Sequence, residues 1–147
     1  MPQTTTAQNA CSARIYIDDD SGTLLDVSGS STTASLNLTK DIGAAFTFEG
    51  DFAVKTECKK DGTIDFSSLW TTATGEARAL LEQWFQAGGR RTFRMDMPNS
   101  EVGSRRYEGE VRLEEYSFPV EAGNADPVVV TGRMVTDGEL SFSTIAS

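Results

Sequence analysis

The side chains in this chain that could do chemistry are carboxylates, arginines and two cysteines, because none of its 147 residues is histidine. Without imidazole, neither Ser-His nor Cys-His activation is open, and the commonest metal ligand is missing. A carboxylate pair of the glycosidase kind could be drawn from Asp65, Glu108, Glu110 or Glu114. These acids fall on the polar positions of extended stretches, where carboxylates are ordinarily just solvated. Asp18-Asp19-Asp20 invites calcium, but an EF-hand loop needs its glycine at position six, and counting from Asp18 puts Gly22 at five. A hairpin turn is the better reading. Arg90-Arg91 and Arg105-Arg106 could grip phosphates, yet they flank one strand with no interleaved aromatics to stack bases. Salt bridges to acidic neighbours fit them better. Cys11 and Cys58 lie far apart in no metal-like spacing and read as free thiols of a protein made in the cytosol. No catalytic, cofactor or metal residue is assigned, no cofactor is expected, and the chain reads as no enzyme.

Composition narrows the class further. The hydrophobic share of 38%, with eight Phe and two Trp, belongs to a folded chain. Twenty-two acids against 13 bases leave a formal charge of −9, which repels nucleic acid and anionic membrane at long range. No apolar run approaches the ~20 residues of a membrane-spanning helix. Residues 1–12 lack the positive and apolar regions of a signal peptide and read as a polar arm. Residues 13–147 read as one β domain.

The elements that must position these groups are mostly strands. Ala13–Ile17 and Leu24–Val27 read as a hairpin about the Asp18–Gly22 turn. From Thr32 to Thr39 the chain alternates, with Ala34, Leu36 and Leu38 on one face. The alternation breaks over Lys40–Phe52, where glycines accompany Asp41, Phe46, Phe48 and Phe52. Three Phe there are too apolar for a solvated loop, so the segment either packs on its own domain or waits for a partner. Strand character returns over Val54–Lys60, a turn is expected at Asp61-Gly62, and Thr63–Ser67 continues beyond it. One helix is expected over about 74–87, with Thr74 as N-cap and Gly88-Gly89 as the stop. Its apolar stripe is Ala77, Leu80, Leu81, Trp84 and Phe85, which must lie against a sheet. Arg91–Met97 follows as a strand with Phe93, Met95 and Met97 inward, and Pro98–Gly103 as a loop.

The last third carries the most information. Tyr107, Val111 and Leu113 share one side of an extended chain, with Glu108, Glu110, Arg112 and Glu114 on the other. After Glu115 the phase flips, so that Tyr116, Phe118 and Val120 become the apolar set. A one-residue slip in period two is the mark of a β-bulge, so Tyr107–Glu121 reads as one long bent strand. Val128–Val135 reads as a second long strand, and Asp137-Gly138 as a turn into Leu140–Ser143. Strands Thr32–Thr39, Val54–Ser67, Tyr107–Glu121 and Val128–Thr136 would form a four-stranded sheet with one polar face. On composition alone such a face is the wet side of a sandwich.

Several stretches here resemble a known family. Tyr107–Val111, Ser117–Val120, Asp126–Gly132 and Asp137–Ser141 are similar to the C-terminal half of the tail tube proteins of long-tailed bacteriophages. The likeness continues upstream through Leu36–Gly43 and the helix before Gly88-Gly89, covering most of the chain beyond its first dozen residues. It implies a mainly β fold, a β-sandwich or half-barrel with one flanking helix. It also implies that six subunits close their inner four-stranded sheets into a ring barrel, and that rings stack into a tube. The polar face would then line the lumen through Asp65, Glu108, Glu110, Arg112, Glu114 and Arg133, with each arginine paired to a neighbouring Glu. DNA would pass that acidic wall during ejection without specific binding. Phe46, Phe48, Phe52 and Asp41 become the ring-to-ring contact, with the arm and Thr144–Ser147 as secondary contacts. The expected partners are other copies of the chain and the tail tip and terminator proteins, with no membrane. The expected place is the virion tail, after synthesis in the host cytoplasm.

Two alternatives stay open. One is a tube subunit of a contractile tail, an injection machine or a gene transfer particle, with the same fold. The other is a β-sandwich binding or capsid-decorating module, which would want exposed aromatics on a sheet face or loop.

Overall fold

The computed structural model describes residues 13–97, 103–123 and 125–145. The arm, Cys11 and most of the Pro98–Gly103 loop lie outside the described residues. The elements are β1 (Arg14–Asp18), β2 (Leu24–Asp26), β3 (Ser31–Ala45), β4 (Val54–Leu69), α1 (Ala77–Ala87), β5 (Arg90–Met97), β6 (Arg105–Ser117), β7 (Val129–Thr136) and β8 (Ser141–Thr144). All eight strands join one antiparallel sheet in the order β2-β1-β5-β6-β7-β4-β3, with β8 also on β6. The four long strands expected to form a sheet are contiguous in it. The fold is mainly β with one flanking helix.

β6 joins the two halves of the sheet. One of its edges pairs β5 over Arg105–Arg112. The other pairs β8 over Arg105–Glu108 and β7 over Val111–Ser117. β7 and β8 therefore lie end to end along the same edge, and Asp137-Gly138 does not reverse the chain as expected. The Asp137 amide donates to the Glu110 carbonyl at 2.9 Å, holding the excursion on β6. Gly109 makes room for it, since a Cβ there would lie 3.2 Å from Leu140 Cα. The expected bulge is present: Leu113 faces Met134 and Glu115 faces Arg133, which leaves Glu114 as the extra residue. The strand ends at Ser117 rather than Glu121, and Phe118 and Val120 are exposed beyond it. Once β7 begins at Val129, β6 has no partner for those positions.

The β3–β4 hairpin also departs from expectation. β3 continues past Thr39 to Ala45, and β4 runs unbroken through Asp61-Gly62. Those two residues face Thr39 and Leu38 across the hairpin. Gly62 serves close packing there and not a turn, because a Cβ would lie 2.9 Å from Leu38 Cδ2 and 3.0 Å from Thr136 Cγ2.

The apolar positions of both halves of the sheet meet in one core. Ile15, Ile17, Phe93, Met95 and Val111 come from one side, Ile64, Phe66, Val130 and Met134 from the other. α1 contributes Ala77, Leu80, Leu81 and Trp84. The helix starts at Ala77, three residues after the expected Thr74, with Glu76 in the N-cap position. Ser30 Oγ accepts from the Ala77 amide at 3.3 Å and does the capping from a distant loop. The helix closes at Gly88, whose φ of 73° suits glycine. Phe85 is not a core residue as expected but 54% exposed. The sheet meets only the Ala77–Leu80–Leu81–Trp84 side of α1, and Phe85 sits at the rim, 6.3 Å from the Tyr116 ring.

Candidate functional site

The polar face of β3-β4-β7-β6 is built in rows fixed by strand register. Thr33, Ser67, Thr131 and Ser117 stand side by side across the four strands, and Ser35, Asp65, Arg133 and Glu115 form the next row. Hydroxyls dominate the first row, where Ser117 Oγ and Thr131 Oγ1 are 2.7 Å apart. Charges dominate the second, where Arg133 Nε meets Asp65 Oδ1 at 3.2 Å. A shallow depression of about 220 Å³ lies between these rows. Glu115, which parity along an unbroken strand would turn inward, belongs to this face because of the bulge. The phase flip after it was the signal that could have found it.

Arginine pairing makes the face less negative than the list of acids implies. Arg112 bonds Asp137 at 2.6 Å, with Arg90 at 3.9 Å from the same carboxylate. Neither Arg112 nor Arg133 takes a Glu, because register places Asp65 beside Arg133 and the β7–β8 excursion brings Asp137 to Arg112. Glu108 is held by Arg94 at 2.6 Å, and Glu110 accepts from the Thr92 hydroxyl at 2.8 Å. Among the described residues Glu110, Glu114 and Glu115 make no ion pair. The uncompensated charge of this face therefore gathers on β6, around the bulge.

The remaining candidates have structural employment. Arg91 is buried, donates to the Asp18 and Leu80 carbonyls and lies 5.6 Å over the Trp84 ring. Burial pushes its pKa below the usual guanidinium range, against the pull of Asp20, Asp18 and Asp19. Arg106 makes a two-pronged pair with buried Asp96 at 2.8 and 3.1 Å, and that hydrogen bonding raises its pKa. Asp19 Oδ1 accepts from the Thr23 and Ser21 amides and the Ser21 hydroxyl, so its turn is self-contained. Among the described residues, no group of three or more His, Cys, Asp or Glu is placed to hold a metal ion.

The other feature is the hairpin itself. Thr63 is the first β4 residue paired to β7, so among the described residues the two strands pair only with each other between Lys40 and Lys60. Every residue from Asn37 to Asp61 is exposed except Ala53, which is half-buried. A two-stranded ribbon is marginal in water, and this one carries apolar side chains into solvent. Phe46 is 83% exposed, Phe52 87%, and Phe48 fully so, with Leu38, Ile42 and Val54 along the stem. Asp41 lies opposite a bulge, where Lys40 faces Lys60 but Ile42 already faces Glu57. Lys40 and Glu57 pair at 3.2 Å. The free thiol of Cys58 is exposed on the same stem.

Among the described residues, both edges of the four-stranded β3-β4-β7-β6 sheet are also open. The outer edge of β3 is unpaired along its length, because β3 ends the sheet. On β6, Leu113–Ser117 pairs β7 but has nothing on the β5 side, since that pairing stops at Arg112. Open edges of this length invite another strand.

A curved antiparallel sheet with one flanking helix and a long projecting hairpin is the tail-tube fold, shared by tubes of phage tails, gene transfer agents and contractile injection systems. No family model and no curated protein matches the chain. Solved structures do. A chain from the tail of an empty gene transfer agent particle, refined with C6 symmetry, is 16% identical over 94% of this chain and 100% of its own, with a TM-score of 0.73. The SPP1 tail tube is 10% identical over 96% of this chain and 81% of its own, at 0.75. A chain from the sheath–tube complex of the extracellular contractile injection system PVC is 9% identical over 96% and 94%, at 0.73. At these identities the likeness is one of fold, and it is not specific to long-tailed phages.

Proposed function

We propose that this protein is the subunit of a hollow tube, closing into hexameric rings that stack along one axis. The observation that carries this is the pair of open edges bounding one four-stranded sheet, β3 at one side and β6 from Leu113 at the other. Copies placed side by side around a ring join those edges, and the joined sheets form a wide barrel without edges. The tail-tube fold, and the C6 symmetry of the gene transfer agent tail, support that ring. In it the rows of Thr, Ser, Asp65, Arg133 and Glu115 line the lumen, and the Phe46–Phe52 tip is the ring-to-ring contact. Because this contact is heterologous, it propagates.

The wall acts passively. Hydroxyl rows keep it wetted, and the uncompensated carboxylates of Glu110, Glu114 and Glu115 repel a polyanionic cargo within about a Debye length, ~8 Å at physiological salt. Asp65 and Glu108 contribute less than expected because each is shared with an arginine. DNA is the cargo this wall suits, in a phage or gene transfer particle. An injection-system tube of the same fold is the second reading, favoured by the equal likeness to the PVC chain.

Electron microscopy of the purified protein tests the assembly: rings or tubes are expected, and persistent monodisperse particles would leave a binding module standing. A triple variant E110K/E114K/E115K tests the wall. It should assemble and slow or block DNA delivery, and normal delivery would remove the electrostatic part. A sheath protein recovered around the tube would move the reading to a contractile machine.

A further inference from the structure

The surface that receives the hairpin tip can be named as well. Topology sets the poles of the long-strand sheet. β4 and β6 are both antiparallel to β7 and so run the same way, from the hairpin end toward Leu69 and Ser117. Beyond those residues lies a second group of exposed apolar side chains. Trp70 is tied to the start of β7 by its amide, which donates to the Val128 carbonyl at 2.8 Å. Arg78 lies 5.0 Å over the Trp70 ring and pairs with Glu82 on α1. Tyr116 bridges from there, 6.3 Å from the Phe85 ring and 5.8 Å from Phe118. Trp70, Phe85, Phe118 and Val120 are all exposed large hydrophobics. The chain thus shows apolar surface at two opposite poles.

We infer that the Trp70–Phe85–Phe118–Val120 patch of one copy receives the Phe46–Phe48–Phe52 tip of a second copy in the adjacent ring. This rests on the tube reading above and names the receptor for its ring-to-ring contact. Three features argue for it. The unsupported stem from Val54 to Gly62, at ~3.3 Å per residue, reaches about 30 Å beyond the body, enough to cross a ring boundary. Two different apolar surfaces at opposite poles make a head-to-tail contact that cannot close on itself, which is what a filament requires. The area is also adequate: three nearly bare Phe side chains offer roughly 150–250 Å² each, against ~800 Å² per partner in a stable interface. The stem residues Ile42 and Val54 add to it, and the contact repeats around the ring, where simultaneous engagement multiplies its strength.

Two assembly-defective variants of the full chain test the assignment: F46S/F48S, the tip variant, and F85S/F118S, the patch variant. Both alter exposed side chains, and circular dichroism checks that each folds. Each alone should form rings that do not stack. Mixed, they should give two-ring stacks and nothing longer, because one intact tip meets one intact patch and the remaining ends are dead. A patch variant that builds ordinary tubes, or that fails to close rings at all, overturns the receptor assignment while leaving the tip's role standing. A tip variant that builds ordinary tubes overturns the tube reading's contact itself. As a second measurement, F48C/F118C in a C11S/C58S background should form intersubunit disulfides in assembled protein. In the same background F48C/S35C, which places the second thiol on the polar face, should not. Equal yields from both pairs would refute the contact.

Discussion

Replacing Phe48 by Ser should separate folding from assembly more cleanly than any other single change. The ring is fully exposed, in the part of the hairpin whose two strands pair only with each other among the described residues, so the folded subunit loses no packing. Its unfolding free energy should stay within about 0.5 kcal/mol of the parent, as for surface substitutions generally. In the proposed stacked tube the same ring would be buried, and burying a Phe side chain contributes roughly 1.5–3 kcal/mol. Taking about 2 kcal/mol, each tip contact weakens roughly thirty-fold. The proposed ring makes six such contacts at once, so the losses compound and the junction between rings weakens far beyond one contact's share. The assay is the critical concentration for tubes, read by sedimentation and electron microscopy, beside a urea melt of the unassembled subunit. The expected result is a critical concentration raised by orders of magnitude with an unchanged melt. Tubes at the parent concentration, or a melt lowered by more than about 1 kcal/mol, would refute the reasoning.

Other expectations follow from the same geometry. Trp84→Ala should cost about 3–5 kcal/mol in a urea melt, since the side chain is wholly buried, whereas Phe85→Ala should cost under about 1 kcal/mol; equal losses would put Phe85 back in the core. Asp96→Ala should destabilise by about 3 kcal/mol, because the carboxylate is 1% exposed and its removal leaves Arg106 partly buried without its partner; a melt like the parent's would discount the pair. The Asp19 carboxyl, held down by the hydrogen bond from the Thr23 amide and then by Ser21, should titrate below the ordinary aspartate range in an NMR titration. Its lowered folded-state pKa stabilises the turn above the unfolded value, and that contribution fades as pH falls through the folded one. An ordinary or raised value would contradict the geometry of the turn.

Much of this was legible in the linear chain because it depends on local periodicity. Alternation in Thr33–Leu38, the i, i+3, i+4 stripe of the helix and the phase flip after Glu115 each record which side of an element must leave water, and burial enforces that choice one residue at a time. The bulge on β6 comes from the same source, whereas the break in alternation over Lys40–Phe52 left open whether its Phe residues pack on their own domain, and the structure leaves them in solvent. Contacts between distant segments are not encoded that way. Asp61-Gly62 has the chemistry of a turn, yet it lies mid-strand because Leu38 and Thr136 close on it from two other strands. Asp137-Gly138 fails to reverse the chain because β6 offers one continuous edge to both β7 and β8. Phe85 satisfies the helical stripe, but the core takes only the Ala77–Leu80–Leu81–Trp84 side of α1. Which arginine neutralises which carboxylate was decided by cross-strand register and, for Arg112, by the β7–β8 excursion, and together these leave Glu110, Glu114 and Glu115 of the polar face without an ion pair among the described residues. Sequence determined which faces are apolar; three-dimensional pairing decided what each face meets, because partners far apart in the chain are chosen by edges and space that no local pattern records.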